Sequence, residues 1–143
     1  MPLFGRKRPV LDHPYFGRLI FMRGSYWEGE LVLPGARERI GLVVPAPATG
    51  PSDAQVAFCR RLLSDPDALF SRCRPLFEGD FEEWTEKPFP PDWRKEFSLV
   101  GLGLPEDGDD SRPWDVTYFV DSANHYFAAY FERGRPSYLT VDG

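Results

Sequence analysis

The chain of 143 residues has few residues suited to redox or metal chemistry, with two cysteines, two histidines and two methionines. Two thiols do not make the disulfide framework of a small extracellular domain. Cys59 and Cys73 both fall where the pattern is helical, so reduced, buried, unreactive thiols are expected. Apolar runs are short as well. The longest, Tyr126 to Phe131, has six residues, against roughly 18 for a membrane-crossing helix, and insertion by a helix is excluded. Arg6, Lys7 and Arg8 near the start are followed by no apolar stretch of signal-peptide character, and a cytoplasmic protein is expected. The recurrent chemical signatures are missing too: there is no G-x-G-x-x-G, P-loop lysine, H-E-x-x-H, C-x-x-C or G-x-S-x-G. Neither a cofactor nor a metal is expected.

What the chain has instead is aromatic rings and turn formers. Twelve Phe, six Tyr and four Trp accompany 13 Gly and 15 Pro, a composition of many turns that stays short of the roughly 25 to 30% Gly plus Pro of disordered segments. The length suits a single domain, 1–143, able to build its own core, with residues 1–11 as a flexible basic arm. Charge is unevenly spread. Residues 1–75 hold eleven Lys/Arg and seven Asp/Glu, a balance of +4, whereas residues 76–143 hold six and fifteen, a balance of −9. An acidic field repels phosphates, so no nucleic-acid partner is expected.

Period-two alternation organises Arg18 to Val44 into three groups: Leu19 and Phe21; Trp27, Leu31 and Leu33; and Ile40, Leu42 and Val44. Arg23-Gly24-Ser25 and Pro34-Gly35-Ala36 separate them at hairpin distances, and polar Arg18, Glu28, Glu30 and Arg39 leave one face wet. The proline-rich stretch from Pro45 to Pro51 cannot continue a ladder. Ser52-Asp53-Ala54-Gln55 fits a capping box and predicts a helix from Asp53 to Ser64; Asp65-Pro66 starts a second helix, which Pro75 should bend or end. Glu78 to Lys95 reads as an irregular acidic segment anchored by Trp84, Phe89 and Trp93. Four strands follow, at Phe97 to Leu104, Trp114 to Val120, His125 to Phe131 and Tyr138 to Val141. The order β-β-β-α-α-β-β-β-β is an α+β fold with an antiparallel sheet and both helices on one face. The predicted core contains Leu19, Phe21, Trp27, Leu31, Ile40, Leu42, Val116, Tyr118, Phe127 and Phe131.

Several constellations invite a chemical reading. Gly101-Leu102-Gly103 precedes a proline rather than a helix, so a bulge or close packing fits better than a phosphate loop. His125 and Asp121 flank a turn and, with Cys59 or Cys73, compose a nucleophile-base-orienter set, although no local signature supports it. His13 and His125 lie 112 positions apart, too far for a local metal motif, and Glu106 to Asp110 has calcium-loop oxygen density without the calcium-loop register. The stretch bearing Glu78, Asp80, Phe81, Glu82, Glu83, Trp84, Glu86 and Trp93 interleaves carboxylates with rings, as a surface for a basic, partly apolar protein partner does. The competing reading puts those rings in the core beneath a long loop.

Asp12-His13-Pro14-Tyr15-Phe16-Gly17-Arg18-Leu19, with Tyr26-Trp27-Glu28-Gly29 and Arg39-Ile40-Gly41-Leu42-Val43-Val44, resembles the start of small uncharacterised bacterial domains with an F-G-x-L strand, a tryptophan-glycine strand and a later helical segment. The resemblance covers about the first 75 residues. It implies a bacterial cytoplasmic α+β protein in a neighbourhood that includes immunity-type proteins of toxin systems, and it carries over no catalytic residue. Phe16-Gly17 and Trp27-x-Gly29 read as packing devices, each glycine making room for a bulky neighbour. The expectation is therefore a non-enzymatic interaction protein of immunity or regulatory type with a basic protein partner. The alternative is a small enzyme built on His125, Asp121 and a cysteine.

Overall fold

A computed structural model describes residues 7–33 and 39–143. Its elements are β1 (Val10–His13), β2 (Gly17–Met22), β3 (Tyr26–Leu31), β4 (Ile40–Pro45), α1 (Asp53–Ser64), α2 (Pro66–Thr85), β5 (Phe97–Gly103), β6 (Trp114–Val120), β7 (His125–Glu132) and β8 (Arg135–Asp142), with short 3-10 turns at Trp93–Lys95 and Glu106–Gly108. The fold is α+β, and all eight strands join one sheet in chain order.

Two features differ from the expected order. Val10 and Leu11, assigned to a flexible arm, begin an additional edge strand that pairs with Ile20 and Leu19 of β2. It forms because His13 Nδ1 accepts the amides of Tyr15 and Phe16, at 3.0 and 3.1 Å, and so caps the turn that folds β1 back. Residues 1–6 of the arm lie outside the described residues, as does the Pro34-Gly35-Ala36 turn. Second, the sheet is mixed: β4 and β5 run parallel, with Gly41, Leu42 and Val43 beside Gly101, Leu102 and Gly103. A two-helix crossover separates them, and such a connection returns the chain in its original direction, whereas the tight hairpins elsewhere reverse it.

The capping box is present in full. Ser52 Oγ accepts from the Gln55 amide at 3.2 Å and Gln55 Oε1 accepts from the Ser52 amide at 3.0 Å. Gln55 Nε2 then donates to the carbonyls of Pro45, at 2.7 Å, and Pro105, at 3.1 Å, which ties α1 to the ends of β4 and β5. Asp65 caps α2, with Pro66 in its first turn. Pro75 does not end this helix, and the supposed irregular segment is helical from Glu78 to Thr85. Pro75 sits on the exposed side, so the hydrogen bond it forfeits is on the wet face. On the opposite side Leu69, Phe70, Cys73, Phe77 and Phe81 are all buried and hold the helix together on both sides of the proline.

Those rings meet the sheet. Phe77 stacks on Phe97 at 5.6 Å between centroids and meets Tyr118 and Phe127 edge-on, while Phe58 of α1 meets Trp114 and Trp114 stacks on Phe131. Nine of the ten predicted core residues are buried, and Phe21 is partly so. Gly29 makes room as expected, since a Cβ there would run into Leu19 of β2. Gly17 does something else: nothing crowds it, and its φ of +74° makes it a turn glycine, not a packing one.

Candidate functional site

Both helices cover the face of the sheet that carries the aromatic core. The opposite face has no helix over it among the described residues, and its composition is set by strand parity. On β4 and β5, the central pair, every second side chain points to this bare face, and these are Gly41, Val43, Gly101 and Gly103. Gly101 takes its place there through a bulge between Leu99 and Gly101, which bears out the bulge reading of the glycine pair. The flanking strands carry larger groups. Glu28 and Glu30 of β3 lie beside Val43 and Gly41, and Asp115 and Thr117 of β6 lie beside Gly103 and Gly101. A trough therefore runs along β4 and β5 with a floor of three glycines and Val43 and carboxylates on both walls, an open hollow of about 420 Å³. A second hollow of about 240 Å³ continues from Asp115 to Tyr130, Glu132 and Tyr138.

Asp115 is the chemically distinctive group in the trough. Its carboxylate lies over Gly103, where a Cβ would collide with it. Burial pushes its pKa up to about 6 from 3.8. No hydrogen bond or ion pair engages it among the described residues. The carboxylates that share its two cavities are Glu28, Glu30 and Glu132, and among the described residues no lysine, arginine or histidine lines either one. Arg18 and Arg39 flank Glu28 and Glu30 in the adjoining hollow, and Arg39 is paired with Glu30 at 3.3 Å. The sequence pattern already made one face of the first three strands wet. What it did not show was that Gly41, Gly101, Gly103 and Asp115 share one face, because that alignment takes the parallel β4–β5 pairing, which joins segments about 60 positions apart, and the bulge in β5.

The acidic-aromatic stretch is not one surface. Phe81 is 1% exposed and belongs to the core. Trp93 is partly buried, stacked on Phe70 at 4.6 Å, and donates to Asp67 at 2.8 Å, so it clasps the start of α2. The Arg94 and Trp93 hydrogen bonds at that clasp lower the Asp67 pKa. Glu82, Glu83 and Trp84, by contrast, are exposed on α2, with Trp84 at 47%, and Glu78 and Asp80 are half-buried beside them. Glu78 is paired with Arg74 at 3.0 Å. These charges ride on a helix rather than a loop.

The nucleophile set falls in three places. Cys59 is buried beside Tyr15 and Cys73 near Tyr118, and burial pushes their thiols up to about 11 and about 12, far from the thiolate a nucleophile needs. His125 packs on Trp84 at 4.5 Å, and its Nδ1 donates to the Ala123 carbonyl at 2.7 Å; Asp121 is exposed in the preceding turn. Desolvation lowers the pKa of His13, which keeps it neutral as a turn acceptor. In the Glu106–Asp110 turn, Asp109 caps Ser111 at 2.9 Å and Asp110 accepts from Trp114 at 2.8 Å. Among the described residues no three His, Cys, Asp or Glu side chains are grouped to hold a metal ion, and no helix is long and apolar enough to cross a membrane.

Compared with protein-family models, curated proteins and solved structures, the chain matches none.

Proposed function

We propose that this chain is a non-enzymatic protein-interaction module of immunity or regulatory type, whose partner docks on the uncovered face of the sheet. The observation that carries the reading is the trough: the central strands of an eight-stranded sheet present glycine to the outside, where a solvated face ordinarily carries long polar side chains. Glycine inside a strand weakens it, and close approach of another chain is one recognised compensation. Exposed Tyr126 and Tyr138, at 44% and 48%, extend the same face with the amphipathic rings that interfaces favour. The acidic outward side of α2 is the competing surface for a basic partner.

The test is recovery of a partner from the native host by three forms of the protein, followed by binding measurements on each. Gly41→Val, which fills the trough, should lose the partner, and paired Glu82→Lys and Glu83→Lys should keep it. The opposite pattern moves the interface to α2, and a wild-type chain that retains nothing removes the proposal. A second reading has one specific support. A carboxyl with a pKa near 6 in a cleft suits a general acid or base. It predicts turnover that disappears in Asp115→Asn, and it replaces the earlier set of His125, Asp121 and a cysteine.

A further inference from the structure

We propose that the trough takes an extended, lysine- or arginine-bearing segment of the partner laid along β4 and β5, with its cationic head group on Asp115. The inference rests on the interaction reading above and names the chemistry of the occupant. Shape is the first ground. From Gly41 to Pro45 the floor runs roughly 13 Å, at about 3.3 Å per residue, and the walls on β3 and β6 stand three strand spacings, roughly 14 Å, apart. That is room for one extended chain lying flat along the strands. The glycine floor lets the guest backbone come close. Gly41 has no other structural need to be glycine, because its φ is ordinary for a strand and a Cβ there would meet only the Val100 carbonyl, at 3.6 Å.

Charge is the second ground. The central cavity is lined by Glu28, Glu30 and Asp115 and, among the described residues, by no cation. Glu30 has Arg39, and Asp115 has no hydrogen-bond or ion-pair partner among the described residues. A carboxylate partly withdrawn from water without a counter-ion is costly, and a guanidinium or ammonium placed on it offsets that cost and forms a charge-assisted hydrogen bond. The groups facing Asp115 across its two cavities are Glu28, Glu30 and Glu132, with Tyr130 and Tyr138, so the surrounding field favours the cation as well. Protonation of Asp115 removes this attraction, and affinity should fall as pH is lowered through about 6.

The experiment uses the full chain, isotopically labelled for amide NMR, and a seven-residue peptide alternating glycine and lysine, with the glutamate counterpart as control. The lysine peptide should shift the amides of Gly41, Gly101 and Gly103 and leave Gly79, on α2, in place. Asp115→Asn should weaken that binding about tenfold or more while the fold is retained. Equal binding of the glutamate peptide, wild-type affinity in Asp115→Asn, or shifts at Gly79 with a silent trough overturns the proposal. So do trough signals that move on dilution without any peptide, which assign the trough to a second copy of the chain. A host partner that is lost in Gly41→Val yet binds Asp115→Asn normally keeps the interaction reading and ends the cationic one. A partner kept by Gly41→Val and lost in Asp115→Asn overturns the trough as the docking floor and the segment laid along it.

Discussion

The two faces of this sheet are built from the same strands and follow opposite rules. Toward the helices, alternate positions are large and apolar: Trp27, Leu42, Leu102, Val116, Tyr118 and Phe127 are all buried beneath α1 and α2. One residue along, the neighbours are Glu28, Val43, Gly103, Asp115 and Thr117, and on the central strands Gly41, Gly101 and Gly103 leave Val43 as the one side chain. On the covered face burial of rings drives folding, and each ring touches several others. On the bare face the residues work against stability, with glycines inside strands and a carboxyl held partly out of water without a partner. Natural chains keep such features where a local rule is broken for function. The difference separates what the sheet needs in order to fold from what it presents.

The largest effect should come from the covered face. Phe77 is 0% exposed and lies against Phe70, Phe97, Tyr118 and Phe127. Phe77→Ala should cost about 3 to 5 kcal/mol, read as a lower urea midpoint at unchanged slope. A loss below about 1 kcal/mol would mean that the ring cluster is not the core.

The next effect has the opposite sign. The folded-state pKa of Asp115 is raised to about 6 from 3.8, so between those values the folded chain holds a proton that the unfolded chain releases. Stability contributed by the protonated acid is therefore full below about 3.8, falls as pH rises through about 6, and stays at its reduced level above. Asp115→Asn should raise stability at pH 7.5 by about 1 to 2 kcal/mol, allowing for partial solvent contact, and the gain should vanish below pH 4. Thermal melts of both forms at pH 3.5 and 7.5 give the comparison. A destabilised Asn variant at pH 7.5 would show that the carboxylate is held by the fold instead of strained by it.

How far these faces were legible in the sequence follows from how local each signal is. Helix α1 was readable to its ends because Ser52 and Gln55 make their reciprocal bonds within four residues. The core side of β2 to β4 followed from alternation, and so did the wet side. β1 was missed because its stability comes from His13 capping a turn, a role that residue type alone does not announce. Pro75 misled because the proline rule describes an isolated helix, and here buried rings before and after it hold both turns against one sheet. Trp93 and Phe81 read like anchors for a partner, yet contacts with Phe70 and Phe97 draw them inward. The trough was the least legible part. Glu28, Gly41, Gly103 and Asp115 come from four strands, and only the register brings them to one side.

Gly41→Val sharpens the contrast at small energetic cost. The new Cβ makes only ordinary contact, with the Val100 carbonyl at 3.6 Å, and valine suits a strand better than glycine, so stability should stay the same or rise by up to about 1 kcal/mol. Binding at the trough should nonetheless be lost. A fall of more than about 1 kcal/mol would mean that Gly41 is there for folding, and the glycine floor would lose its functional reading.

The smallest effect separates the trough from the other acidic surface. Glu82 and Glu83 are exposed on α2, and neither takes part in a described ion pair, so Glu82→Lys with Glu83→Lys should change stability by less than about 0.5 kcal/mol. Its influence on a basic partner is through the long-range field, which salt screens over about 8 to 10 Å. The double variant should therefore slow association at low ionic strength, converge with wild type in high salt, and leave dissociation unchanged. Stopped-flow binding at two salt concentrations reads both rates. Faster dissociation of the double variant would place direct contacts on α2 and make the helix, with Trp84 beside these charges, the docking surface in place of the bare sheet.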